Sequence, residues 1–102
     1  METKVKVLNQ LIKIIKEKKN YSSDLSYTAK LFSKGKVKIA NKVGEEAIEV
    51  ISAFLSQEKK DVAEETADLI FHLFVLLEYA GISPEEVWKV LQKRMKVRNT
   101  IQ

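Results

Sequence analysis

The sequence predicts an all-α fold, a bundle of four to five helices completed by a partner subunit. Three observations carry that expectation. Apolar residues recur at i, i+3, i+4, i+7 through the long stretches of the chain, the mark of amphipathic helices. Breaks between them coincide with turn-forming residues, at Gly35, in the polar run 57–60, and from Gly81 to Pro84. The stretch 69–77 is apolar on all sides except at His72, and a helix with no polar face has to be covered all round. Four short helices of one chain supply too little cover, so a partner subunit is expected.

The first helix is expected over about residues 5–19. Val5, Leu8, Leu11, Ile12 and Ile15 share its apolar side, and Lys6, Lys13 and Lys16 lie among its polar positions. The run Asn20-Tyr21-Ser22-Ser23-Asp24 reads as a loop. A short helix follows from about residue 26, with Asp24 or Ser26 as N-cap, and breaks at Lys34-Gly35-Lys36.

A long helix is expected over residues 37–56, with Ile39, Val43, Ala47, Val50, Ile51 and Phe54 on a broad apolar face. Gly44 inside it costs about 1 kcal/mol relative to Ala, which points to close approach by a neighbouring helix or a ligand. Gln57-Glu58-Lys59-Lys60 is short enough for an antiparallel hairpin into the next helix, residues 61–80. Gly81 stops that helix, and Ser83-Pro84-Glu85-Glu86 is a capping box that opens the last one. Its basic end, from Lys93 to Arg98, suits a helix C-terminus and could also reach a phosphate.

The length, 102 residues, suits one domain over 1–102. With no cysteine there is no disulfide frame, thiolate metal site or cysteine nucleophile, which fits a reducing, cytoplasmic setting. The N-terminus has no signal-peptide pattern, and the longest apolar run falls well short of the ~20 residues that span a bilayer, so no membrane is expected. Residues 1–44 hold eleven Lys and three acids, whereas residues 45–102 hold seven Lys or Arg and eleven acids. A basic half feeding an acidic cluster suits a polyanionic ligand that arrives with a metal. It does not suit a nucleic-acid reader, whose basic surface would be kept clear of a carboxylate nest.

The acids carry the chemistry. Glu45-Glu46-Ala47-Ile48-Glu49 is answered by Glu64-Glu65-Thr66-Ala67-Asp68. Glu46 with Glu49, and Glu65 with Asp68, stand three residues apart, which on a helix leaves their Cβ atoms about 5–6 Å apart on one face. Like charges at that distance repel, and the apolar neighbours make the carboxylates harder to hydrate. A hard divalent cation removes both penalties, because Mg²⁺ takes oxygen ligands from a few carboxylates, waters and phosphates. The hairpin, with its turn centred at 59–60, would place Glu49 and Asp68 at comparable heights and aim four carboxylates into one gap. Lys38 and Lys42, one turn apart, either pair with these glutamates or bind phosphate beside the metal. His72, on the same stripe as Asp61, Glu64, Glu65 and Asp68, is read as a hydrogen-bonded buried residue, because an all-oxygen Mg²⁺ site does not want imidazole.

The carboxylate pattern ExxE…ExxD resembles that of the all-α NTP pyrophosphohydrolases, the MazG-like superfamily. Ser26-Tyr27-Thr28, Lys34-Gly35, Ile39, Lys42-Val43-Gly44-Glu45-Glu46-Ala47, Glu49, Ala67-Asp68-Leu69 and His72-Leu73 look more particularly like the phosphoribosyl-ATP pyrophosphohydrolase family of histidine biosynthesis. Phe71 stands where that family often has Tyr. The resemblance implies a homodimer and Mg²⁺-dependent hydrolysis (with Mn²⁺ as a possible substitute) of phosphoribosyl-ATP between its α and β phosphates. It implies Glu46, Glu49, Glu65 and Asp68 as metal ligands, with Glu45 and Glu46 as the catalytic carboxylates, Glu45 orienting water. Lys34, Lys38 and Lys42 are inferred to contact phosphate. Lys30, Arg94 or Arg98 is the expected contact for the second ribose phosphate, with Arg94 counted among the substrate-binding residues. The alternative expectation is a house-cleaning nucleoside triphosphate pyrophosphatase of the same fold.

Overall fold

In the computed structural model, which describes residues 2–98, the chain is all-α. The helices are α1 (Glu2–Lys18), α2 (Tyr27–Lys34), α3 (Lys36–Ser56), α4 (Lys59–Ala80) and α5 (Pro84–Arg98). The predicted ends are met to within about two residues, except that α1 begins three residues earlier.

The caps follow from side-chain chemistry. Ser26 is the N-cap of α2, and its hydroxyl accepts from the Ala29 N–H at 2.9 Å. Gly35 ends α2 at φ +89°, in the region that favours glycine, and α3 starts at the next residue. Gly81 at φ +74° closes α4: its N–H donates to the Glu78 carbonyl and the Ile82 N–H to the Leu77 carbonyl, which occupies carbonyls the helix leaves free. Before α5 the Glu86 carboxylate accepts from the Ser83 N–H at 3.0 Å, and the Ser83 hydroxyl accepts from Glu85 N–H at 3.2 Å. The capping box is therefore present, shifted by one residue on the hydroxyl side.

α3 and α4 form the antiparallel hairpin on which the rest is built, joined by only Gln57 and Glu58. α1 and α2 pack across one side of it. The core is Ile15 of α1, Leu31 of α2, Ile39 of α3, and Phe74 and Val75 of α4. Trp88 of α5 meets Phe74 edge to face at 6.4 Å. α5 turns away from α4 by 110° and otherwise packs sparsely. Among the described residues no single helix is long and apolar enough to cross a membrane.

One copy of the chain answers two expectations only in part. Gly44 is exposed, and a Cβ built there meets nothing within 4 Å, so no close approach inside the described chain explains it. The stretch 69–77 is covered only in part by its own chain: His72, Phe74 and Val75 are buried, Leu69, Phe71, Leu76 and Leu77 half-buried, and Ile70 and Leu73 exposed. The larger uncovered apolar surface lies on α3, where Ile48, Ile51, Phe54 and Leu55 are 57–74% exposed.

Candidate metal and phosphate site

The α3–α4 hairpin sets which acids meet. Its turn falls at residues 57–58, about two residues earlier than the sequence suggested, and this changes the pairing of heights. Glu49 and Glu65 each lie about eight residues from the turn, and Glu46 and Asp68 about eleven, so these are the matched pairs. Glu49 and Asp68 stay within about two residues, ~3 Å, of the same height, and Glu65 is the nearer match to Glu49.

Glu46, Glu49 and Glu65 offer carboxylate oxygens that all lie within 4.8 Å of one another. Glu46 is buried, Glu65 half-buried and Glu49 exposed, so the cluster runs from the interior out to solvent. Asp68 is not within that radius, although its charge acts on Glu49, Glu65 and Tyr27. Of the four carboxylates expected in one gap, the structure draws three together and leaves the fourth beside them.

The electrostatics are those of a cluster short of positive charge. A hydrogen bond with Glu46, then the Glu46 charge, then burial, raise the Glu49 pKa above the ordinary carboxylate value. Glu65 is also raised, first by desolvation and then by the charges of Glu49, Asp68, Glu64 and Asp61. Lys42 is the one basic side chain paired with the cluster among the described residues, with Nζ 3.4 Å from Glu45 Oε1 and 3.7 Å from Glu46 Oε2. Burial works against its charge, while Tyr27, Glu45 and Glu46 hold its pKa above the usual lysine value. Glu45 itself is exposed and sits outside the oxygen cluster.

The other predicted contacts are not gathered here. Lys34 ends α2, Lys38 lies one turn before Lys42, and neither forms an ion pair with the acids among the described residues. Arg94 is exposed on α5 and makes no such pair either. Lys30 is exposed on α2, and the Arg98 side chain lies outside the described residues. Asp61 is occupied elsewhere, accepting from the Glu58 N–H at 3.2 Å in the cap of α4.

His72 is buried and has partners on both ring nitrogens, as expected. Its Nδ1 lies 2.7 Å from the Asp68 carbonyl oxygen and its Nε2 2.9 Å from the Tyr27 hydroxyl. Sequence reasoning gave Tyr27 no role of its own. The signal available was its place in Ser26-Tyr27-Thr28 together with a lone histidine on the acidic stripe.

The chemistry of the donor set is plain: three carboxylates, no imidazole and no thiolate. Such a set suits a hard ion such as Mg²⁺ or Mn²⁺ rather than zinc.

A family model described as phosphoribosyl-ATP pyrophosphohydrolase matches residues 8–95. The chain belongs to that family. It is 50% identical over 88% of its length to a phosphoribosyl-ATP pyrophosphatase of Sulfurisphaera tokodaii, of which the match covers 96%. The corresponding protein of Metallosphaera sedula is 51% identical, with 88% of this chain and 97% of that one covered. A histidine biosynthesis bifunctional protein HisIE of Thermotoga maritima is 41% identical over 85% of this chain, which matches 44% of that longer protein.

Proposed function

We propose that this protein hydrolyses phosphoribosyl-ATP to phosphoribosyl-AMP and pyrophosphate in histidine biosynthesis, using a divalent ion held by Glu46, Glu49 and Glu65. The observation that carries the reading is the buried Glu46 carboxylate, clustered with two others beside a single lysine, in a chain of this family.

Glu46 and Glu49 on α3 and Glu65 on α4 would hold the ion, with Asp68, whose charge acts on Glu49 and Glu65, as the fourth proposed ligand. Mg²⁺ bound there neutralises charge on the pyrophosphate leaving group and makes water a better nucleophile. With Glu46 engaged as a ligand, Lys42 would be free to donate to a phosphate oxygen. Glu45 remains exposed at the rim and accepts the proton of the attacking water. Lys38 and Lys34 extend the basic edge toward the break at Gly35, and Arg94 on α5 is the proposed contact for the second ribose phosphate.

The working unit in this proposal is a homodimer. Ile48, Ile51, Phe54 and Leu55 form an uncovered apolar stripe on α3, too continuous to be scattered surface residues. The radius of gyration, 15.2 Å, exceeds the roughly 13 Å of a compact chain of this length, as expected of half an assembly. A second copy laid on this stripe would cover it.

Incubation of the purified protein with phosphoribosyl-ATP and Mg²⁺, followed by product analysis, tests the reaction. Phosphoribosyl-AMP and pyrophosphate are expected. Release of orthophosphate instead, or no turnover, refutes it.

A further inference from the structure

Tyr27 has an exposed ring and a hydroxyl turned inward, and the proposed reaction has used neither. The partner of that hydroxyl is His72, a buried residue on the same stripe of α4 as Glu65 and Asp68. Its Nδ1 lies 2.7 Å from the Asp68 carbonyl oxygen, which can only accept, so Nδ1 carries the proton. In the neutral ring Nε2 is then an acceptor, and the Tyr27 hydroxyl 2.9 Å away donates to it. Tyr27 as a whole is nevertheless 52% exposed. A single exposed tyrosine is ordinary, but this one has spent on the interior the group that water solvates best. What it shows to solvent is the aromatic ring.

That ring is held in place. Tyr27 is the first residue of α2, directly after the Ser26 cap. It stacks on Phe71 with centroids 6.2 Å apart and planes 29° from parallel, and meets His72 edge to face at 5.9 Å. Phe71 backs one face and His72 lies across an edge, which leaves the opposite face to carry the exposure. Phe71 and His72 follow Asp68 by three and four residues, so the ring sits on α4 about one turn beyond Asp68 and two beyond Glu65. The other two tyrosines are placed differently: Tyr21 lies in the loop after α1, and Tyr79 stacks on Phe32 at the end of α4. A flat, immobilised aromatic face next to a cluster proposed to take phosphates suits a flat group joined to those phosphates. In phosphoribosyl-ATP that group is adenine, whose π-face stacks on aromatic side chains. The hydroxyl and ring are already fixed, so stacking freezes few further rotamers of the protein.

We propose that Tyr27, held by His72 and Phe71, is the platform on which the adenine of the substrate stacks. This inference rests on the proposed binding of phosphoribosyl-ATP with its phosphates at the carboxylate cluster. His72 and Phe71 act only through Tyr27 and are positioning residues.

The test compares the two products, since phosphoribosyl-AMP carries the base and pyrophosphate does not. Calorimetric titrations in Mg²⁺ read each Kd directly, and kinetics with phosphoribosyl-ATP give KM and kcat. Tyr27→Leu removes the ring. It is expected to raise the Kd of phosphoribosyl-AMP, and the KM, about tenfold, within the range for loss of one stacked base. The Kd of pyrophosphate and kcat should stay within about twofold of wild type, inside what a lost stacking contact leaves untouched. Tyr27→Phe keeps the ring and loses only the hydroxyl, so it should bind phosphoribosyl-AMP far better than Tyr27→Leu does. Thermal melts check that each variant folds. In the wild type, the adenine protons of bound phosphoribosyl-AMP should shift upfield in NMR spectra through the ring current of the tyrosine, a readout that needs no variant. Wild-type affinity for phosphoribosyl-AMP in Tyr27→Leu, or no upfield shift in the wild type, overturns the proposal. So does an equal weakening of pyrophosphate, which would make Tyr27 a prop for the acids, or a Tyr27→Phe variant as impaired as Tyr27→Leu, which would put the effect in the hydroxyl. A wild type that binds phosphoribosyl-AMP without hydrolysing phosphoribosyl-ATP fails the proposed reaction, while the comparison of the two ligands still decides the role of Tyr27.

Discussion

Replacing Glu46 by glutamine separates the metal-binding role of this residue from any structural one. The amide keeps the volume of a side chain that is only 6% exposed and removes its charge. Two charge terms change in the metal-free protein, with opposite signs. The attraction to Lys42 at 3.7 Å is lost, worth about 1 kcal/mol at the dielectric of water and about 4 kcal/mol as an upper bound at an effective dielectric of 20. Repulsion by the neighbouring Glu49 is lost with it, and the two largely cancel. Lys42 retains Glu45 at 3.4 Å, so no bare charge is left behind. Metal-free Tm should therefore move by only a few degrees.

The metal-bound protein should behave differently. An ion that binds only the folded state stabilises it by RT ln(1 + [L]/Kd), about 1.4 kcal/mol at ten times Kd and about 2.7 kcal/mol at a hundred times. For a chain of about 100 residues that is a Tm rise of roughly 6–11 °C at the lower concentration. A hundredfold loss of affinity in Glu46→Gln removes essentially all of the rise at that concentration. Calorimetric melts with EDTA and with Mg²⁺ measure it, with Glu64→Gln, exposed and outside the oxygen cluster, as the control that keeps the full shift. A Glu46→Gln protein that shows the wild-type Mg²⁺ shift would remove Glu46 from the ligand set. One that is unfolded without metal would make the buried carboxylate structural.

Three further outcomes are expected. Because Glu49 and Glu65 have raised pKa values in the folded chain, the folded state holds their protons more tightly than the unfolded state does. Their contribution to stability is then fullest below the ordinary Glu range and lost as pH rises through the folded values. Metal-free Tm should show that decline, less steeply in Glu49→Gln, and an equal slope in both proteins would contradict it. Phe54→Lys changes a side chain that is 73% exposed in one copy, so it should leave helicity intact while converting a dimer to a monomer in sedimentation; a wild type that sediments as a folded monomer at micromolar concentration ends the dimer proposal. Finally, kcat/KM should be far higher for phosphoribosyl-ATP than for ATP, and comparable values would point to a general nucleotide pyrophosphatase.

The helices were legible because their signals are local. Periodicity marked the apolar faces, and Ser26, Gly35, Gly81 and Ser83 marked the ends through caps that need only neighbours in sequence. The carboxylates were legible because three-residue spacing puts pairs on one face whatever else happens. What failed depended on the turn. Placing it two residues late hid Glu65 as the nearest match in height to Glu49, since the hairpin doubles any error in its centre. Lys34, Lys38 and Arg94 could not be placed because long exposed side chains on different helices are located by tertiary packing and by the ligand. The Tyr27–His72 bond spans 45 residues, and no local pattern encodes it.

α3 joins the two halves of the argument, for its faces make opposite demands. One carries Lys42, Glu46 and Glu49, acids whose mutual repulsion lowers stability until an ion arrives. Another carries Ile48, Ile51, Phe54 and Leu55, whose exposure in one copy leaves a driving force for association unspent. Ile48 lies between Glu46 and Glu49 in sequence, and a rigid helix cannot shift one face without the other. A second copy pressed on the apolar stripe would thus hold the backbone of the acidic cluster still while its charges are unbalanced. Dimerisation and metal binding should then each strengthen the other, by the same factor in both directions. Diluting the protein in the presence of EDTA should dissociate it at a higher concentration than in Mg²⁺, and equal dissociation constants in the two buffers would show that the faces of α3 act independently.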